Sequence, residues 1–133
     1  MAGPEFQEVP MPEPRVLIVH DERIIADTLA QILAQSGYQA RAVYSGEQAV
    51  QAASESIPDV LIAYVVMQGM NGVEAALLIR QICLRCRVLL FSGQFTTVDL
   101  LSRAGIDSPA FEILAKPVSP QVLLACLKTM VVG

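Results

Sequence analysis

From Arg15 onward the chain alternates short apolar runs with stretches whose apolar residues recur at helical spacing. That alternation marks repeated strand–helix units, in which each helix returns the chain to the same end of a parallel sheet. Strands are predicted at 16–19, 39–43, 60–63, 88–91 and 111–114. Three of them are continuously apolar, as strands covered by helices on both faces are. The second, Gln39-Ala40-Arg41-Ala42-Val43, alternates polar and apolar residues and is predicted at one sheet edge, with the fifth, which carries Glu112, at the other.

The helices carry their own punctuation. Ile24, Ile25, Leu29, Ile32 and Leu33 predict the buried face of a first helix, with Gly37 and Gly105 as stops for the first and fourth. Ser45-Gly46-Glu47-Gln48 and Asn71-Gly72-Val73-Glu74 have the capping-box spacing, and Ser119-Pro120 puts proline at a first helical position. The fourth and fifth helices are predicted at 97–104 and 119–131. Right-handed crossovers then favour a doubly wound five-stranded α/β sheet of order 2-1-3-4-5 with five helices, the first and fifth on one face. Ligands of such sheets bind beyond the strand C-termini. That rim gathers His20-Asp21-Glu22, residues 64–69, Ser92-Gly93 and Lys116-Pro117.

Composition narrows the function classes. With 53% hydrophobic residues and no Trp, the core must be aliphatic, and 133 residues suit one domain. Nine basic against 13 acidic residues leave a net charge of -4, which argues against direct nucleic-acid binding. The longest apolar run, 60–67, is far shorter than the roughly 20 residues that span a bilayer, so no membrane segment is predicted and a cytoplasmic location is expected. Three cysteines without a framework spacing are expected to be free thiols. Cys83-Leu84-Arg85-Cys86 has the gap of a zinc or redox pair, yet Cys126 falls on the opposite sheet face and no second pair exists. Residues 1–14, with Pro4, Pro10, Pro12 and Pro14, read as a disordered leader or a cloning-derived segment, and 15–133 as the folded domain.

The rim residues resemble the signature of bacterial response-regulator receiver domains. Val16-Leu17-Ile18-Val19-His20-Asp21-Glu22 is similar to that family's first strand and acidic pair, with His20 where the first acid usually stands. The run 58–72, ending in Met70-Asn71-Gly72, is similar to its third strand and following loop. That register puts Tyr64 at the phosphoacceptor position, and Gln68 replaces a common proline. Leu89-Leu90-Phe91-Ser92-Gly93 and Leu114-Ala115-Lys116-Pro117-Val118 are similar to the strands ending in the hydroxyl residue and in Lys-Pro. The resemblance implies a cis Lys116-Pro117 bond, and it places Ile113 where many members carry an aromatic switch residue.

What the resemblance implies for function is a flavodoxin-like regulatory module of a two-component phosphorelay. In the family a carboxylate attacks phosphorus, an oxygen-bound Mg²⁺ neutralises the transferring oxygens, and a lysine and a hydroxyl bind the others. Asp21, Ser92 and Lys116 remain, while Tyr64 and His20 replace two carboxylates. Asp21 and Glu22 would hold Mg²⁺ poorly, so no cofactor is expected and the pocket is expected not to turn over. Tyr64 either fills a decayed pocket, its ring on Met67 or Ile113, or locks the loops through Lys116 or Ser92. The expected partners are a histidine kinase, an output domain or a second copy, met through the fourth helix, fifth strand and fifth helix. Two alternatives stand beside this reading. One is a phosphorylation-competent receiver using Asp21, Glu22 or a native Asp at 64. The other is a flavodoxin-like cofactor binder, which the acidic 20–22 turn disfavours.

Overall fold

A computed structural model describes residues 13–67, 69–92, 111–115 and 120–132. Strands β1 (Arg15–Val19), β2 (Gln39–Val43), β3 (Val60–Tyr64), β4 (Arg87–Ser92) and β5 (Phe111–Ala115) form one sheet in the order β2-β1-β3-β4-β5. Every pairing is parallel. The helices described are α1 (Arg23–Gln35), α2 (Gly46–Glu55), α3 (Gly72–Ile82) and a C-terminal helix (Pro120–Val132). The predicted fourth helix at 97–104, Gly105, Gln68, Lys116, Pro117, Ser119 and residues 1–12 of the predicted leader lie outside the described residues.

The topology and edges are those the pattern predicts, and the strands run slightly longer. β1 begins at Arg15, where its N–H donates to Asp59 Oδ2 at 2.8 Å. β3 includes Tyr64 because that residue pairs with Phe91 on β4.

Alternate strand residues serve opposite layers, which is why the inner strands read as unbroken apolar runs. Leu17, Val19, Leu61, Ala63, Val88 and Leu90 pack with Ala49, Ala53, Ala76 and Ile79 of α2 and α3. Val16, Ile18, Val60, Ile62 and Leu89 pack with Leu33 of α1 and Leu123 and Leu127 of the C-terminal helix. Each fully buried aliphatic side chain contributes roughly 1.5–3 kcal/mol, so these two layers carry the fold.

One part of the first helix differs from expectation. Ile24 is 82% exposed, and α1 buries Ala26 and Leu33, with Leu29 packed beside them. Residues 26, 29 and 33 share one stripe at helical spacing, and Ile24 lies about 200° from Ala26 around the axis. Gly37 ends α1 at φ +96°, where a side chain is strained.

The caps hold the loops at the rim. Asn71 and Glu74 form a complete capping box, each side chain accepting the other's backbone N–H at 2.9 Å. Ser45 accepts Gln48 N–H at 3.1 Å as predicted, but the Gln48 side chain accepts the N–H of Tyr44, one residue earlier than a capping box requires.

At Gly72 the backbone of α3 passes under the end of β3. Its N–H donates to Val65 O at 2.9 Å, and a Cβ there would sit 2.3 Å from Tyr64 O, inside any tolerable contact. Gly37, by contrast, has open space around its missing Cβ. Gly72→Ala is therefore expected to lower unfolding free energy by roughly 2–4 kcal/mol, against about 1 kcal/mol for Gly37→Ala, which meets backbone strain alone. Urea denaturation of both variants checks the ranking, and equal losses would contradict it.

Candidate functional site

The C-terminal ends of β1, β3 and β4 bring His20, Tyr64 and Phe91 together. His20 follows β1 and is fully buried, its N–H donating to Val43 O at 3.2 Å. Its imidazole lies face to face with the Tyr64 ring, centroids 4.3 Å apart and planes within 3°. Phe91 tilts against both rings at 5.8 Å. Tyr64, half-buried, packs against both apolar layers, so the trio plugs the sheet where the layers meet. Stacking of this kind adds about 0.5–1.5 kcal/mol beyond burial.

Sequence reasoning foresaw Tyr64 and His20 at the rim but not their contact. The stacking of Tyr64 on His20 adds to the predicted alternatives, Tyr64 against Met67 or Ile113 or locked onto Lys116 or Ser92. Phe91, predicted only as part of the fourth strand, stands opposite Tyr64 in the β3–β4 register.

His20 Nδ1 accepts the N–H of Glu22 at 3.1 Å, and Asp21 Oδ1 lies 3.3 Å from the same nitrogen. One nitrogen cannot accept from the amide and donate to the carboxylate at once. The amide contact is the shorter, which assigns the ring proton to Nε2 and leaves Asp21 as a neighbour. Glu22 is the N-cap of α1 without a side-chain cap bond, and Asp21 and Glu22 are both exposed. Among the described residues no three His, Cys, Asp or Glu side chains converge as a metal site. β4 brings Ser92 level with Ala115 at the end of β5, and Lys116 lies outside the described residues.

Two side-chain latches around this end were not read from the sequence. Glu47, in the first turn of α2, accepts Met70 N–H at 3.4 Å and so holds the loop that follows β3. Tyr44, just past β2, donates its hydroxyl to Asp27 Oδ1 at 2.6 Å while Arg23 lies 4.1 Å over its ring. The bond to the Asp27 carboxylate raises the Tyr44 phenol above its ordinary pKa. Hydroxyl and carboxylate are 17 residues apart in sequence, so no local spacing announces the pair.

An open doubly wound α/β domain with its distinctive side chains at the strand C-termini defines the class of this protein. Within it the chain belongs to the response regulator receiver domain family, whose sequence model matches residues 16–128. It is 32% identical over 120 residues to the transcriptional activator protein ExaE of Pseudomonas putida, covering 89% of this chain and 55% of that protein. It is 28% identical over 111 residues to the DNA-binding response regulator MtrA of Mycolicibacterium paratuberculosis, covering 84% of this chain and 48% of the relative. The chain thus spans about half the length of these curated relatives. The crystal structure of a putative response regulator from Chloroflexus aurantiacus superposes with a TM-score of 0.76 at 30% identity, covering 91% of this chain and 99% of that one. This protein is a receiver domain of the two-component response-regulator kind, a signalling module.

The cysteine pair stands apart from this site. Cys83 is the C-cap of α3, and Cys86 N–H donates to Cys83 O at 3.3 Å, closing a turn. Arg80 Nη1 clamps the turn from inside, donating to Leu84 O and, at 2.7 Å, to Cys86 O. Cys126 packs in the opposite layer, as expected. Burial first, then the neighbouring Cys83, pushes the Cys86 thiol from 9.0 up to about 12. Above pH 9 the unfolded chain releases this proton while the folded chain keeps it, so the thiol's contribution is fully present below pH 9 and is lost as pH rises towards 12. Unfolding free energy should therefore fall more steeply above pH 9 in the parent than in Cys86→Ala, by on the order of 1 kcal/mol per pH unit. Parallel slopes in chemical denaturation at stepped pH would refute this.

Proposed function

We propose that this receiver domain works as a protein-interaction module in two-component signalling and no longer takes a phosphoryl group by the family's usual route. The stacked pair of His20 and Tyr64 carries the reading. By the resemblance, these are the positions of one Mg²⁺-binding acid and of the nucleophile. A phenol needs a general base to activate it as a nucleophile, whereas a carboxylate does not. Mg²⁺ wants near-octahedral oxygen ligands and dehydrates reluctantly, and Asp21 and Glu22 are a poor donor set beside a buried imidazole. The residues present do not fit the ion. In this reading Asp21, Ser92 and Lys116 are remnants of the phosphorylation pocket, and the aromatic plug holds the strand ends without phosphate.

Its partners are then a histidine kinase, an output domain or a second copy, met through the fourth helix, β5 and the C-terminal helix. Val122, 48% exposed on that last helix, supports such a surface. The relatives named for DNA binding and transcriptional activation are about twice as long, and the net charge of -4 favours an output that acts through protein contacts of this domain. The folded domain is 15–133, and its working compartment is the bacterial cytoplasm. None of the described helices is long and apolar enough to cross a membrane.

The test is incubation with a small-molecule phosphodonor and Mg²⁺, read by intact mass. The parent is expected to gain no phosphoryl group, Tyr64→Asp to gain little, and Tyr64→Asp with His20→Asp to become phosphorylated in a Mg²⁺-dependent way. Phosphorylation of the parent would overturn the reading. If the folded double variant stays unmodified at saturating donor, decay extends beyond the two acids, to Gln68 or Ile113.

The same reading predicts that millimolar Mg²⁺ leaves the thermal midpoint of the parent unchanged, because a ligand bound only by the native state must raise it with occupancy. A saturable rise that Asp21→Asn abolishes would show a working metal site.

A further inference from the structure

We propose that the groove along the outer side of α3 is a second docking surface, and that its occupant is a basic amphipathic helix of another protein. The open depression there, of about 600 Å³, is lined by Leu77, Leu78 and Gln81 of α3 together with Gly69 and Met70. Glu47 and Glu74 stand on its rim. Apolar exposure continues along the helix: Leu78 and Ile82 are 38% and 39% exposed one turn apart, and Leu84, just beyond, is 77% exposed.

The shape selects a helix. Leu78 and Ile82 repeat at the i, i+4 spacing that faces the anchors of a helix laid parallel to α3. Glu47 holds Met70 N–H, and the Asn71–Glu74 capping box fixes the first turn of α3. A preformed groove of this kind spares the ordering that weakens binding at loose surfaces.

Charge selects the partner. Both carboxylates on the rim accept backbone N–H groups of their own domain. Arg80, on the same helix, is turned onto the Leu84 and Cys86 carbonyls, and Arg85 lies past the helix end. A second copy docked on this face through a two-fold axis would set Glu47 and Glu74 against themselves, which disfavours self-association. A partner helix with leucines on one stripe and lysine or arginine at its margins meets both the apolar wall and the acidic rim. This face shares no lining residue with the His20–Tyr64 end, so binding here is independent of whether that end accepts a phosphoryl group.

The probe is a Leu/Lys peptide of helical period, titrated into the full chain and followed by calorimetry and amide-shift mapping. A Leu/Glu peptide of the same period is the control. Saturable binding of the Leu/Lys peptide with shifts concentrated at 69–82 is expected, and none with the control. Leu78→Glu should weaken binding about tenfold or more. Leu78→Gln is the milder second variant, should the first unfold by circular dichroism. Glu47→Gln with Glu74→Gln, which keeps the acceptor oxygens, should weaken binding severalfold. Equal binding of the control, shifts centred on the C-terminal helix, or no saturable binding would each overturn the proposal. So would concentration-dependent self-association that Leu78→Glu abolishes, since the occupant would then be a second copy.

Discussion

The close passage of Gly72 beneath the carbonyl of Tyr64 sets the geometry on which this end of the molecule depends. β3 is the central strand, paired on both sides, so its end cannot shift without disturbing β1 and β4. With Gly72 N–H on Val65 O and no room for a Cβ, the chain must turn at Val65 and enter α3 in one way. That turn aims Tyr64 inward at His20 and delivers Gly69-Met70 to Glu47. A comparable approach recurs at Gly46, where a Cβ would meet Met70 O at 2.8 Å, so α2 and the same loop are held at backbone distance.

This architecture was largely legible because its causes are local. Buried strands announce themselves as apolar runs, an edge strand as the Gln39–Val43 alternation, and helix starts as Ser45 and Asn71. Ile24 was misread because a helical apolar stripe names a face only as an average. The stripe that α1 buries is the one through Ala26 and Leu33, with Leu29 beside it. The Gln48 bond to Tyr44 N–H in place of Ser45 N–H is a geometric choice within the same spacing, invisible to a pattern of residue types.

The site was legible in position but not in content. Strand ends and the Met70-Asn71-Gly72 register place His20 and Tyr64 on the rim, because a parallel sheet brings all its C-termini to one end. Their stacking depends on side-chain rotation across two strands, as does the Tyr44–Asp27 bond, and neither has a signature in sequence spacing. Read residue by residue, the resemblance sets His20 and Tyr64 at two separate positions of the family's signature. In three dimensions they form one unit, each ring covering a face of the other.

A carboxylate cluster at strand ends repels itself unless a cation binds it, so such a pocket is held apart in the absence of metal. Two stacked rings at the strand ends carry no such repulsion, and Tyr64 packs where the two layers converge. His20 Nδ1 also satisfies the Glu22 amide at the start of α1, so the buried imidazole leaves no gap in the backbone bonding there. The rim latches through Tyr44 and Glu47 then act on an end already closed, tying α1 to the turn after β2 and α2 to the loop after β3. Among the described residues, the turn after β2 and the loop after β3 are thus each held by a side chain of a neighbouring helix, Asp27 of α1 and Glu47 of α2.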